Sequence, residues 1–189
     1  MLKKVGLAIA ALMIGGMVFA QKSVDLKASP KAAGSVNAEW AWKGTPKGKI
    51  GESDTVFTKR YEIAATGADK GAKFAIVKGT CKFKTENGVT AIYHGTKGSA
   101  TIDNLEKTKK AEYEFVLDDA ATVEFGVTGN GSAGPERCVA VKEGENLLLS
   151  IDNLDQDNPV EVITLNNAKA GTYRILLNGA RIVTIKAHN

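Results

Sequence analysis

Trp40 and Trp42 stand two residues apart in a run of strand-forming residues, so an extended chain turns both indoles the same way. Two indole faces on one side of a strand make a stacking platform for the C–H faces of a sugar ring. Indoles buried in a core are the competing account. Lys43 and Lys47 follow in the glycine- and lysine-rich stretch 43–49, and Tyr93 ends a later strand-like run. Trp40, Trp42, Lys43, Lys47 and Tyr93 are therefore the candidate ligand-binding set.

A second cluster offers hard oxygen ligands. Asp152, Asp155 and Asp157 lie among asparagines and a glutamine within seven positions, a donor set suited to Ca²⁺. The stretch is not an EF-hand, because Asp157 occupies the position where that loop needs glycine and no helical pattern flanks it. A structural Ca²⁺ is the one cofactor these residues suggest, and a solvated acidic turn is the alternative.

Catalytic constellations are scarce. The only histidines are His94 and the penultimate His188, and no GxSxG, HExxH or phosphate-cradling glycine motif occurs. A glycosidase needs only two carboxylates close in space, for which Asp118, Asp119 and Glu124 are nominal candidates. The chain reads as a non-enzyme. Cys81 and Cys138 are the only cysteines. A bond between them would close a long loop, worth about 4 kcal/mol of chain entropy. Two thiols buried on separate strands are the alternative, and without CxxC spacing a metal site is the poorest reading.

The compartment in which such a bond forms is set by the N-terminus. Lys3 and Lys4 precede an uncharged apolar and glycine run over 5–19, and Val18 and Ala20 stand where a signal peptidase reads small or β-branched residues. Residues 1–20 thus read as a cleavable signal peptide, 21–35 as a flexible leader and 36–189 as one domain. The run is shorter than the roughly 20 apolar residues a membrane helix requires, and no cysteine stands directly after the cleavage point to carry a lipid. The expectation is a secreted or periplasmic protein without membrane insertion after cleavage. Residues 1–20 contain no acid, so losing Lys3 and Lys4 lowers the formal charge from +4 to +2. That is too little excess cation for a nucleic-acid partner.

The elements that must position these residues are strands. Short runs rich in β-branched and aromatic residues recur at 36–42, 56–64, 73–84, 89–93, 112–117, 122–128, 138–142, 147–151, 160–165, 172–177 and 180–186. Val123, Phe125 and Val127 alternate with Thr122, Glu124, Gly126 and Thr128; Tyr113, Phe115 and Leu117, and Tyr173, Ile175 and Leu177, alternate likewise. Period two with one apolar face describes a half-buried strand. No mature segment keeps helical spacing over a dozen residues, so the domain is expected to be all-β, an antiparallel sandwich. Asn87-Gly88 and Asn178-Gly179 are expected to close tight hairpins, and the glycine-rich 129–135 loop to be a mobile, exposed tip. Thr101-Ile102-Asp103-Asn104-Leu105 recurs as Ser150-Ile151-Asp152-Asn153-Leu154, read both times as a strand ending in a turn.

The runs Phe125-Gly126-Val127-Thr128-Gly129-Asn130-Gly131-Ser132, Arg137-Cys138-Val139-Ala140-Val141 and Ala168-Lys169-Ala170-Gly171-Thr172-Tyr173-Arg174-Ile175 resemble jelly-roll, carbohydrate-binding-module-like domains of exported bacterial proteins. The resemblance covers about a third of the chain and contains no ligand-contacting signature. It implies a two-sheet jelly roll that binds a polysaccharide or cell-envelope glycan through a sheet face or the loops at one end. No catalytic domain accompanies it here, so the alternative is a structural or adhesive envelope subunit that contacts other proteins. A glycan binder should expose its tryptophans or tyrosines; a subunit should expose an apolar patch or a sheet edge.

Overall fold

The computed structural model describes residues 22–41, 55–57, 60–86, 89–93, 99–108 and 111–189, with the backbone alone for 55–57, 78–86, 89–93, 108 and 111. The expected signal peptide, 1–20, lies outside them. In chain order the strands are β1 (Ser23–Asp25), β2 (Asn37–Ala41), β3 (Thr55–Phe57), β4 (Tyr61–Ile63), β5 (Asp69–Lys70), β6 (Ala72–Glu86) and β7 (Val89–Tyr93). A 3₁₀ turn, Ile102–Asn104, then runs into the one-turn helix α1 (Leu105–Thr108). Strands β8 (Ala111–Leu117), β9 (Ala121–Gly129), β10 (Cys138–Glu143), β11 (Asn146–Ile151), β12 (Glu161–Ala168), β13 (Gly171–Asn178) and β14 (Ala180–His188) complete the chain. Among the described residues no helix is long and apolar enough to cross a membrane.

Eight strands form one long hairpin rolled on itself. β2 pairs with β14, β8 with β13, β9 with β12 and β10 with β11, all antiparallel. The nested pairs are laid alternately on two layers, giving the orders β2-β14-β9-β12 and β8-β13-β10-β11. That is the strand order of a jelly roll, and the all-β antiparallel sandwich is as expected. β6 widens the second sheet beside β8 and carries β3, β4 and β7; β5 widens the first beside β2. β1 lies parallel to β12 at the other edge.

The alternating apolar faces meet between the layers. Phe74, Tyr113, Phe115, Tyr173, Ile175 and Val141 come from one sheet and Trp40, Val123, Phe125, Ile163, Leu165 and Ile185 from the other, all buried. Phe115 stands edge-on to both Trp40 and Phe125, with ring centroids 5.9 and 5.8 Å apart, a geometry that adds to area burial. A smaller cluster on the outer face of the second sheet packs Ala100, Leu105, Cys138, Ala140 and Leu176 beneath the 3₁₀ turn and α1.

Several local expectations change. Asn178-Gly179 does not close a hairpin: β13 pairs with β8 and β10, β14 with β9 and β2, so the chain there turns a corner from one sheet to the other. Gly179 takes φ +55°, and Asn178 Nδ2 donates to Glu136 O at 2.6 Å. By contrast, Glu86 pairs with Val89 in the β6–β7 register, and Asn87 and Gly88 lie outside the described residues. The 129–135 loop is tied down by Asn130 N→Gly179 O, Gln156 N→Gly131 O and Arg137 N→Gly134 O bonds, leaving only part of it exposed. The first Ile-Asp-Asn-Leu copy is helical, with Asn104 Oδ1 accepting Thr101 N at 2.9 Å; only the second ends a strand.

The expected flexible leader is also part of the fold. Asp119, buried, accepts from Lys31 N at 3.0 Å, Ala32 N at 3.0 Å and Ser35 Oγ at 2.7 Å. Asn189 Nδ2 donates to Ser35 Oγ at 3.0 Å and to Ala120 O at 2.7 Å, so both ends of the domain meet at one turn.

Candidate functional site

Trp40 does not belong to a binding platform. It is 1% exposed, and its indole N–H donates to Ile63 O at 3.0 Å. Strand alternation points it between the sheets, so the core account of this residue is the correct one. Trp42, Lys43 and Lys47 lie outside the described residues, as does His94. Tyr93 is described by backbone alone, opposite Lys82 in the β6–β7 pairing. Tyr113 and Tyr173 are buried, and Tyr61 is exposed.

No Cys81–Cys138 disulfide is seen, and Cys81 is described by its backbone alone. Cys81 sits on β6 and Cys138 on β10, with β13 and β8 between them. Three strand spacings amount to about 14 Å, and a disulfide needs Cα atoms within about 7 Å. Cys138 is a free, buried thiol with Sγ 3.8 Å from Ala100 O. Burial, with smaller contributions from Asp152 and Glu136, pushes this thiol up to about 12.

The side chains of Asp152 and Asp155, two of the expected Ca²⁺ ligands, are hydrogen-bonded within their own turn. Among the described residues no three His, Cys, Asp or Glu side chains are grouped to hold a metal. The acids serve the turn instead. Asp155 Oδ1 accepts Asp157 N at 3.0 Å, and Asp152 Oδ1 accepts Asn153 Nδ2 at 3.0 Å. Asn153 is left-handed at φ 55°, and Thr128 Oγ1 donates to Asp155 O at 3.0 Å.

What this turn builds is a corner at the β11–β12 end of the sandwich. A cleft of about 110 Å³ opens there between Asp152, Asp155, Asn158, Pro159, Glu161 and Lys22. It is smaller than the 300–1,000 Å³ of ordinary small-molecule pockets, with room for the edge of a ligand. Lys22 Nζ reaches Glu161 Oε2 at 2.7 Å on its rim. Beside the cleft, Val160 and Val162 are 48% and 49% exposed on the outer face of the sheet. The sequence Val160-Glu161-Val162-Ile163-Thr164-Leu165 permits either strand phase; Ile163 and Leu165 take the core and leave the valines outside. The β1–β12 register covers Thr164, Leu165 and Asn166, Lys22 O accepts Thr164 N, and among the described residues no strand lies beside the start of β12 on that side. Across the corner, β11 is the last strand of its sheet, and Leu147 on it is 46% exposed.

Other charged groups fasten elements of the fold. Arg174 Nε and Nη2 donate to Glu112 at 2.7 Å and Glu106 at 2.6 Å, and Lys142 Nζ donates to Glu106 at 3.0 Å. The network fastens α1 over the outer sheet face. Arg174 is driven up by Glu112 and then Glu106, and Glu106 is held down by Arg174 and then Lys142. Asp119, one of the nominal acids, gives its carboxylate to the leader. The Lys31 N–H and then the Ser35 hydroxyl hold it well below the usual carboxylate range. Glu124 faces outward on β9.

No protein-family model matches this chain, and no curated protein is found to be a relative of it.

Proposed function

We propose that this chain is an exported, non-catalytic β-sandwich subunit that works by protein–protein contact at the β11–β12 corner. One observation carries the reading: the start of β12, beside which no strand lies among the described residues, carries two half-exposed valines. Edge strands of soluble proteins are ordinarily blunted by charge, proline or cover. Here Val160 and Val162 add apolar surface to the edge, which suits a partner segment that pairs with the main chain and seats a side chain against the valines. Light scattering on size-exclusion fractions across a concentration series tests this. The expected result is concentration-dependent assembly, abolished in a Val160→Lys/Val162→Lys variant of unchanged melting temperature. A chain that stays monomeric up to millimolar concentration would refute assembly with itself, and absence of any envelope-protein partner in crosslinking would refute the reading as a whole.

A second reading, glycan binding, is favoured by the cleft itself. Asp152, Asp155, Asn158 and Glu161 present carboxylate and amide groups of the kind that hydrogen-bond vicinal sugar hydroxyls. A glycan array run beside an Asn158→Ala variant decides it: binding lost in the variant supports the cleft, and no binding across the array removes it.

A further inference from the structure

The segment from Lys22 to Leu26 behaves as a strand ligand that happens to be covalently attached. Lys22 O accepts Thr164 N at 2.8 Å, and Leu26 N donates to Asn166 O at 2.9 Å. Val24 and Leu26 pack partly buried against the main core. Asn167 Nδ2 donates to Asp25 Oδ1 at 2.9 Å. Main-chain bonds along a sheet edge, with alternate side chains seated in the core, is the pattern of strand addition.

Its connection to the rest of the domain is short and strained. Lys27 sits at φ 61°, a left-handed conformation that costs a residue with a Cβ atom. Asp25 Oδ1 accepts Lys27 N at 3.0 Å and helps to hold this kink. Pro30 follows three residues later and biases Ser29 to extended backbone. From Lys31 onward the chain is clamped on Asp119. A strained kink and a stiff extended dipeptide between two anchored segments form a hinge that favours opening, and short strained hinges invite segment exchange.

Resting on the reading of the β11–β12 corner as a contact surface, we propose that its partner is a second copy of this chain, joined by reciprocal exchange of residues 22–26. In the exchanged dimer each β1 lies parallel on the other copy's β12. The pairing of residues 22–26 with β12 is repeated, and the Asp25–Lys27 and Ala28–Asn167 bonds of the closed kink are given up as Lys27 relaxes to extended backbone. Fully extended, the four residues 27–30 between the exchanged strand and the Asp119 clamp reach about 13 Å, so the neighbour must dock edge to edge. The same symmetric approach brings the two pairs of exposed valines to the junction.

Ser23 and Thr164 are Cα partners in the β1–β12 register, so a Ser23→Cys/Thr164→Cys chain reports whose arm occupies the slot. After mild oxidation at rising concentration, a denaturing gel without reductant should show a covalent dimer absent from the native chain and from Ser23→Cys alone. Lys27→Gly removes the strain from the closed form, and should lower the dimer-to-monomer ratio by roughly five- to thirtyfold per arm. If light scattering shows assembly while the engineered bond forms only within single chains, exchange is overturned and the contact surface stands. If Lys27→Gly leaves the ratio unchanged, the hinge argument is overturned. If the chain neither assembles nor crosslinks, the inference and the self-assembly form of the proposed function both fall.

Discussion

Replacing Gly179 with alanine tests whether the corner between the two sheets is as tightly built as it looks. The residue has φ +55°, and a Cβ there would lie 2.7 Å from Arg137 Cδ and 2.8 Å from Glu136 O. The left-handed conformation alone costs alanine about 1–2 kcal/mol. The Arg137 side chain can shift, but Glu136 O is backbone and accepts the buried Asn178 amide. Displacing that carbonyl costs a further 1–3 kcal/mol or so. The total expected for Gly179→Ala is therefore about 2–5 kcal/mol. Gly144 supplies the control, since its φ is +56° and a Cβ there meets nothing within 4 Å. Gly144→Ala should cost the conformational part only, about 1–2 kcal/mol. Urea unfolding of both variants, with m unchanged, gives the two values. If Gly179→Ala costs no more than Gly144→Ala, the corner is not closed by packing and the reasoning fails.

Asp119→Asn should flatten the acid side of the stability profile. The folded carboxyl lies below its unfolded value near 3.9, so its contribution is complete above about pH 4 and is lost as pH falls toward the folded value. Melting curves from pH 2 to 5 should show the native chain losing stability faster than the variant; parallel curves would exclude the clasp. Cys138, free and buried, should give a melting temperature that reductant does not change, and in a Cys81→Ala chain it should react with thiol reagents at pH 8 only on unfolding. A fall of several degrees on reduction would restore the disulfide. Trp40→Phe should cost about 1–3 kcal/mol through the Ile63 carbonyl left unpaired, measured by urea unfolding. A change within error would place Trp40 outside the core.

Strand positions and their buried faces were legible in the residues. Phe125 against Glu124, and Ile175 against Arg174, separate by a rule of period two, while β10 and the ends of β9 and β13 are buried on both faces. The segment 56–64 divides into β3 and β4, and β1 went unseen because three residues among lysines and an aspartate carry no alternation. The site was much less legible. Trp40 and Trp42 have the same spacing whether they face water or a core, and Asp152, Asp155 and Asp157 have the same composition whether they converge on an ion or cap a turn.

The repeated Ile-Asp-Asn-Leu shows why. Leu105 is buried in the outer cluster from a helical turn and Leu154 in the main core from a loop, so identical residues serve different elements. The amino-acid order by itself determined that the domain is built of half-buried strands, because alternation is a property of neighbours in the chain. Only the tertiary structure decided which strands pair, that β13 and β14 part at Gly179, that the strands bearing Cys81 and Cys138 are held apart by two others, and that Val160 and Val162 face outward at the start of β12. Those outcomes depend on burying two apolar faces against each other across pairings such as Ser23 with Thr164, and no local pattern encodes a partner so distant in the chain.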